Sequence, residues 1–557
     1  MLNRIHSYIR SWQCNSLALS GQRWCKLCRL FAASLGLACV FSGPFHYLSA
    51  APAEPRRQES SVPSLGTNLA PLTDYTREWP FVDAFKIARP WISQRRGAPW
   101  GQGGLLQLTA QGWIAALQPG QYAETIMFDN ALDDKPSYPT GRYTLLYEGR
   151  GTIQFDHGSA TVVSRFSGRM LVNVSPGQNG IFLMITEVDS RDPIRNIRFI
   201  MPGFEHTYRT QPFHPIFLQT LAKYRLLRFM EWMRTNGSPL HSWTDRPTPD
   251  DYTYAWRGAP LEIIIRLANQ LHAEPWFTIP HRADDNFVHY FATMVKDQLN
   301  PSLVAYVEYS NETWNSRFTQ SRYVQARGLQ LQLDRIPFWA GVDFTALRSV
   351  EIFSIFADVL GGTSRIRRVL ASQAADSSLS DRLANFRNAA RSADVLAIAP
   401  YFSCSDAESG GHGYLGDART ASQIAHLSSD QILDIELEHI RNCSANQMKA
   451  AAAIARTHRL ALVAYEGGQH LVGVNGAEKN EELTALFSSA NRSPRMRKLY
   501  SEYLRNWVSC GGTLFVNFND VGAYTKWGSW GAMEYQDQDP STAPKYQALM
   551  DFAVQNR

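Results

Sequence analysis

From residue 226 onward, short unbroken apolar runs alternate with longer stretches whose apolar residues recur every three or four positions. The runs at 226–230, 275–280, 303–310, 368–371, 395–399, 460–465 and 513–518 show no polar alternation, which is the pattern of strands buried on both faces of a parallel sheet. Between them lie stretches with helical periodicity, among them 349–360, 381–392, 445–458 and 495–508, each predicting a helix that covers the sheet. An eighth run starts at Leu65, ahead of residues 80–88, where Phe81, Phe85 and Ala88 share one helical face. Eight such βα repeats close a barrel.

Residues 101–203 have a different texture. Runs at 143–149, 160–163, 170–174 and 181–186 are separated by Gly, Pro, Asn and Ser turns every 8 to 12 residues or so, the spacing of an antiparallel β-sandwich. The expected fold is therefore α/β: a (β/α)8 TIM barrel with an inserted antiparallel β-sandwich. Residues 64–100 would form the first βα unit, 101–203 the insertion and 204–557 the rest of the barrel. The alternative is an N-terminal sandwich domain, with residues 196–201 as the first barrel strand.

The N-terminus adds a compartment to this picture. Residues 1–53 carry Arg4, Arg10, Arg23, Lys26 and Arg29 with no acid, then an apolar stretch from Leu30 to Ser42, then Ser49-Ala50-Ala51-Pro52-Ala53. That order is a secretory signal, and about 13 apolar residues fall short of the roughly 20 that span a bilayer. The reading is export to the periplasm or outside the cell, with a retained N-terminal anchor as the alternative. Residues 54–63, rich in Pro, Arg and Ser, read as a linker. Cys14, Cys25, Cys28 and Cys39 fall in the leader, leaving Cys404, Cys443 and Cys510; in an oxidising compartment Cys404 and Cys443 are the nearest pair for a disulfide. Net charge is +5 and part of the excess sits in the leader, so nothing resembles a nucleic-acid footprint. Aromatic residues make up 12%, with 15 Trp and 23 Tyr, a supply of flat faces that suits sugar rings as well as large cores.

The candidate chemistry lies at strand ends, where barrel active sites are built. The fourth run ends in Glu308-Tyr309-Ser310-Asn311-Glu312, and the seventh ends in Tyr465-Glu466-Gly467-Gly468. Breaking a glycosidic bond takes one carboxylic acid to protonate the leaving oxygen and one carboxylate to attack or to activate water. The two stand about 5 Å apart for retention and about 6.5 to 9.5 Å apart for inversion. Glu312 and Glu466 fit that requirement, provided their surroundings separate their pKa values. Asn311 could bind a sugar hydroxyl, and Tyr401, past the sixth strand, could hold the Glu466 carboxylate.

Asn-Glu at the end of strand four with Glu at the end of strand seven resembles the clan A retaining glycoside hydrolases. Arg228 after strand two, His281 after strand three, Tyr401 after strand six, and Trp527 or Trp530 after strand eight extend the likeness. The wording of residues 308–315 also resembles uncharacterised bacterial exported proteins sometimes labelled cellulose-binding. The resemblance covers residues 64–95 and 205–550 and leaves the sandwich outside. It implies Glu312 as acid/base, Glu466 as nucleophile, the other named residues as substrate-binding, and a polysaccharide or oligosaccharide substrate; no cofactor is expected, for want of metal and phosphate-loop motifs.

Plainer readings stand beside these. Glu308 shares strand parity with Glu312 and reads as a buried structural partner. Asp284 and Asp285 read as solvated loop acids, and Arg228 divides between orienting a carboxylate and anchoring a salt bridge. His281 and His289 have no zinc motif around them, and no phosphate-binding glycine loop follows any strand. The competing class is a non-catalytic glycan-binding protein on the same scaffold. A transglycosylase would use the same two carboxylates.

Overall fold

A computed structural model describes residues 63–130, 138–177, 179–402 and 414–555. Eight parallel strands close a barrel: β1 Ser64–Asn68, β2 Leu226–Arg228, β3 Glu274–Ile279, β4 Ala305–Tyr309, β5 Ile366–Ala371, β6 Val395–Ile398, β7 Ala461–Ala464 and β8 Gly512–Asn517. All eight coincide with the apolar runs of the sequence. The ring shuts where β1 pairs with β8, with Leu65 opposite Phe515.

The strands are apolar on both faces because the barrel has two cores. Leu226, Trp276, Tyr306, Val369, Val395, Val463, Tyr465 and Val516 pack together in one cluster. Their sequence neighbours Leu227, Phe277, Val307, Leu370, Leu396, Leu462, Ala464 and Phe515 pack in a second, much larger one with the covering helices. Alternate residues point to opposite faces of a strand. The smaller cluster is therefore the barrel interior, and Arg228 and Glu308, two residues after Leu226 and Tyr306, point inward as well.

The first unit differs from expectation. Residues 80–88 form no α-helix; Ala84–Ile87 is a single 3-10 turn capped by Asp83, whose side chain accepts from the Phe85 amide at 3.2 Å. The same carboxylate accepts from the Phe199 amide at 2.9 Å, and Phe81 bridges to Phe213, so side-chain and backbone ties outside the segment take the place of helix propagation. Pro90 then disfavours helix at Arg89. The helix that leads from this region into β2 is Pro215–Leu221, after the inserted segment.

The inserted strands begin at Ile92, ahead of the expected boundary at residue 101. Ile92–Arg95, Gln121–Met127, Ile181–Val188 and Gly151–Asp156 make one four-stranded antiparallel sheet in that order. Arg195–Ile200, Gly141–Glu148, Arg169–Val174 and Ala160–Phe166 make another. Phe155 of the first meets Phe199 of the second at 5.6 Å between ring centroids. The alternative in which residues 196–201 begin the barrel is excluded, since Phe199 pairs antiparallel with Leu145.

Later helices follow the periodic stretches, as Ala445–Thr457 and Arg495–Ser509 show. The stretch at 381–392 breaks: an α-helix Ser377–Asn385 gives way to a 3-10 segment in which Arg387 and Asn388 are left-handed. The leader and linker lie outside the described residues, as does Cys404; Cys443 is disulfide-bonded and Cys510 is a free, buried thiol.

Candidate active site

At the C-terminal mouth of the barrel, the turn after β4 carries Ser310 at φ +61° and Glu312 at φ +41°. Left-handed backbone is costly for residues with a Cβ and persists only where the surroundings enforce it. Here Ser310 donates its amide to Ile279 at 2.8 Å, and Gln320 holds the Asn311 carbonyl at 2.9 Å. After β7, Gly467 and Gly468 give Glu466 its position. A Cβ on Gly467 would sit 2.8 Å from the Tyr503 hydroxyl, and one on Gly468, at φ +132°, 2.7 Å from that of Tyr500.

Arg228, wholly buried at the end of β2, joins the two turns. Its Nη2 donates to Glu308 Oε2 at 2.8 Å and to Asn311 Oδ1 at 2.8 Å, and its Nε to the same Glu308 oxygen at 3.2 Å. Nη1 donates to Asn68 Oδ1 at 3.1 Å and to Glu466 Oε2 at 3.4 Å. The guanidinium lies between aromatic faces, 5.0 Å from the Tyr465 ring and 5.7 Å from that of Trp276. Trp276 also donates its indole N–H to Glu308 Oε2 at 2.8 Å.

Glu312 and Glu466 stand close enough for each to act on the ionisation of the other. Neighbouring carboxyl groups disfavour ionising together. Burial raises both above the usual carboxylate range, and Glu466 goes well above it because the Glu312 charge adds to burial. The donors explain the asymmetry. Glu312 receives the Asn315 amide at 2.8 Å on Oε2 and the Tyr465 hydroxyl at 3.3 Å on Oε1, which stabilise its ionised form. Among the described residues, Glu466 receives only Arg228, at 3.4 Å. Glu308 is also raised by burial, against the pull of Arg228 and Trp276.

The other expected residues divide. Asn311 is locked under Arg228 and donates to Asn236 at 3.0 Å. Tyr401 stands near enough to Glu466 and Glu312 for burial and their charges to push its hydroxyl well up, yet no hydrogen bond joins it to Glu466 among the described residues. The tyrosine that bonds a carboxylate is Tyr465, and the carboxylate is Glu312. Tyr401 instead joins His470 at 5.4 Å and Trp530 at 5.9 Å between ring centroids. Trp530 donates its indole to the Trp527 carbonyl at 2.9 Å, and Trp527 is 42% exposed with Lys526 over its ring.

His281 is buried with its ring edge-on to Tyr323 at 5.1 Å, and burial pulls it down to about 4. Its Nδ1 has no hydrogen-bond partner, and none ties it to either carboxylate among the described residues. Asp284 caps the helix Asp285–Gln298, and Asp285 pairs with Arg348 at 2.6 Å.

Asn68, Trp276, Asn315, Tyr465 and His470 belong to the site and were not legible as such. Only Tyr465 and Asn315 had a signal, adjacency to Glu466 and the i+3 position after Glu312. Asn68 and Trp276 come from strands whose register alone brings them in.

No family model matches the chain, and no curated protein matches it. Solved structures similar to it include a 4-O-α-L-rhamnosyl-β-D-glucuronidase from Fusarium oxysporum 12S in complex with Rha-GlcA, 11% identical with a TM-score of 0.34 over 53% of this chain and 52% of that one. A Cellulomonas fimi endo-β-1,4-mannanase double mutant is 12% identical with a TM-score of 0.30 over 53% and 56%. A broad-specificity endoglucanase from Bacteroides salanitronis is 10% identical with a TM-score of 0.33 over 61% and 85%. The chain spans about half the length of the first two. No residue role in this chain rests on these likenesses.

Proposed function

We propose that the protein is an exported glycoside hydrolase that cleaves a polysaccharide with retention, Glu466 acting as nucleophile and Glu312 as acid/base. The observation that carries this reading is the convergence of those two carboxyls, from the ends of β7 and β4, over an arginine that donates to Glu466 at 3.4 Å. Retention uses a spacing of about 5 Å between the two carboxyls, with the sugar ring between them. For the reaction Glu466 is ionised beside Arg228, and Glu312 holds the proton.

The Glu466 carboxylate forms a bond to the anomeric carbon while Glu312 gives its proton to the departing glycosidic oxygen. Glu312, now ionised, takes a proton from water; the water oxygen bonds to the anomeric carbon and the Glu466 ester breaks. Trp530, Trp527 and Tyr401 supply ring faces along the cleft, and Asn311 and Arg228 hold the floor. The two antiparallel sheets pack as a sandwich that positions or binds glycan beside the barrel.

A second reading has one observation in its favour. Burial raises both carboxyls above the usual carboxylate range, which suits a barrel that binds glycan without cleaving it. Hydrolysis of a panel of plant and bacterial polysaccharides by the wild type and by Glu466→Gln separates them. Turnover abolished by the substitution supports the hydrolase. No turnover on any substrate, with binding intact in both proteins, supports the binding protein.

A further inference from the structure

We propose that Lys545 is a positioning residue that sets the aromatic wall of the cleft. From the C-terminal helix it clasps both limbs of the loop after β8 and joins that loop to the turn carrying Glu466. The proposal rests on the reading of the cleft as a glycan site and names what holds one side of it.

Lys545 is the second residue of the helix Pro544–Gln555 and is 0% exposed. Its ammonium lies over the Tyr524 ring, 4.3 Å from the centroid, and donates to the Ser529 carbonyl. Tyr524 and Ser529 flank the tip of the loop, where Thr525 and Gly528 exchange backbone hydrogen bonds around Trp527. One side chain therefore grips the loop before and after its tip. The Ser529 carbonyl also accepts from Nε2 of Gln469 at 2.8 Å. Gln469 lies buried just past Glu466, its amide donating to the Tyr500 hydroxyl at 3.1 Å and its Oε1 accepting the Leu471 amide at 2.7 Å. The residue after Ser529 is Trp530, whose ring meets those of Tyr401, His470 and Phe518. The β7 turn, the β8 loop and the C-terminal helix thus meet at one carbonyl.

This is a costly place for a lysine. Burying an ammonium sacrifices its hydration, and a charge partner is the usual offset. Lys545 makes no ion pair among the described residues. Glu534, an acid whose charge acts on it, is taken by Arg492 at 2.8 and 2.6 Å. Burial accordingly holds the amine well below the usual lysine range. An unbranched apolar side chain of that length would fill the same space without the desolvation cost. What it would not supply is a donor to Ser529, so the lysine is explained by what it holds in place and not by stability.

Lys545→Met keeps the stem and deletes the donor, and amide hydrogen exchange on the full chain, read by mass spectrometry, records what that donor held. Residues 519–531 and 467–472 are expected to exchange about tenfold faster, the worth of one hydrogen bond, while the barrel strands exchange as in the wild type. The melting temperature is expected to stay level or rise, because a buried ammonium is gone. On a polysaccharide that the wild type cleaves, KM is expected to rise about tenfold with kcat within about twofold, the mark of lost uniform binding. Gln469→Met deletes the other donor to the same carbonyl, loosens the same two segments, and decides the matter if Lys545→Met fails to fold. Unchanged exchange in both segments overturns the proposal, as does faster exchange spread over the whole barrel with a lower melting temperature. Local loosening with KM unmoved overturns it too, since the loop would then be held to no effect on the cleft. A wild type without turnover removes the hydrolase reading; retardation in gels containing the same polysaccharides then takes the place of KM. A wild type that none of them retards overturns both.

Discussion

Arg228 and Glu308 form an ion pair at the floor of the site, Nη2 to Oε2 at 2.8 Å, with the side chains 0% and 1% exposed. The pairing resolves the one carboxylate that strand parity left as a rival to Glu312. Glu308 points inward but lies a layer below the mouth, where Arg228 and Trp276 both donate to a single oxygen, Oε2. Its charge also stands among the causes that raise Glu466. Glu308→Gln keeps the shape and removes that charge, so Glu466 ionises more readily and its titration moves down. Where Glu466 must be ionised to attack, the acid limb of kcat/KM is expected to shift to lower pH by roughly one unit. A pH–rate profile of the variant against wild type checks this.

Arg228→Lys is not a conservative change. A lysine cannot reproduce contacts to Glu308, Asn311, Asn68 and Glu466 made from one planar fork. Removing one side of a buried pair leaves an uncompensated charge and costs about 3 to 5 kcal/mol. Urea unfolding of Arg228→Met is expected to show a loss of that order, with Arg228→Lys between it and wild type.

How much of this was legible follows from where each signal resides. The eight strands were readable because a strand buried on both faces needs a continuous apolar run, and none of the eight runs has another use. Arg228, Glu312 and Glu466 were readable because polar residues at the ends of such runs have few structural reasons to be there. Tyr465 was hidden by its aromatic ring, which reads as core and does pack as core. Asn68 was hidden because one Asn within a short strand carries no sign of which face it takes. The helix expected at 80–88 failed because Asp83 and Phe81 bond to residues more than a hundred positions away, which periodicity within a window cannot register.

A second buried acid pair predicts pH-dependent stability. Glu78 and Asp520 interact with each other, both 1% exposed, and Asp520 Oδ1 accepts the Ala70 and Val521 amides at 2.9 and 2.8 Å. Burial raises Asp520 from 3.8 to about 6. The folded protein therefore holds a proton that the unfolded chain has already lost between those values. The stabilisation is complete below the unfolded pKa and is lost as pH rises through about 6. Across that window the unfolding free energy falls by something on the order of 2 to 3 kcal/mol. Asp520→Asn keeps the acceptor for both amides and is expected to flatten this slope, as urea unfolding between acid and neutral pH would record.

The ring faces of the cleft separate by exposure. Trp527 is 42% exposed, so Trp527→Ala is expected to change stability by no more than about 0.5 kcal/mol while raising KM on a long substrate. Trp530 packs on Tyr401, His470 and Phe518, and its replacement by alanine is expected to lower both stability and kcat. Thermal melts beside Michaelis–Menten kinetics distinguish the two.

The central claim is that Glu466 is the residue that attacks the sugar. A mechanism-based fluoroglycoside matched to a substrate the wild type hydrolyses would trap the covalent intermediate, and peptide mapping would locate it. The account predicts one modified peptide, with the label on Glu466, and no labelling of Glu466→Gln. A label on Glu312, Glu308 or Asp285 would contradict it.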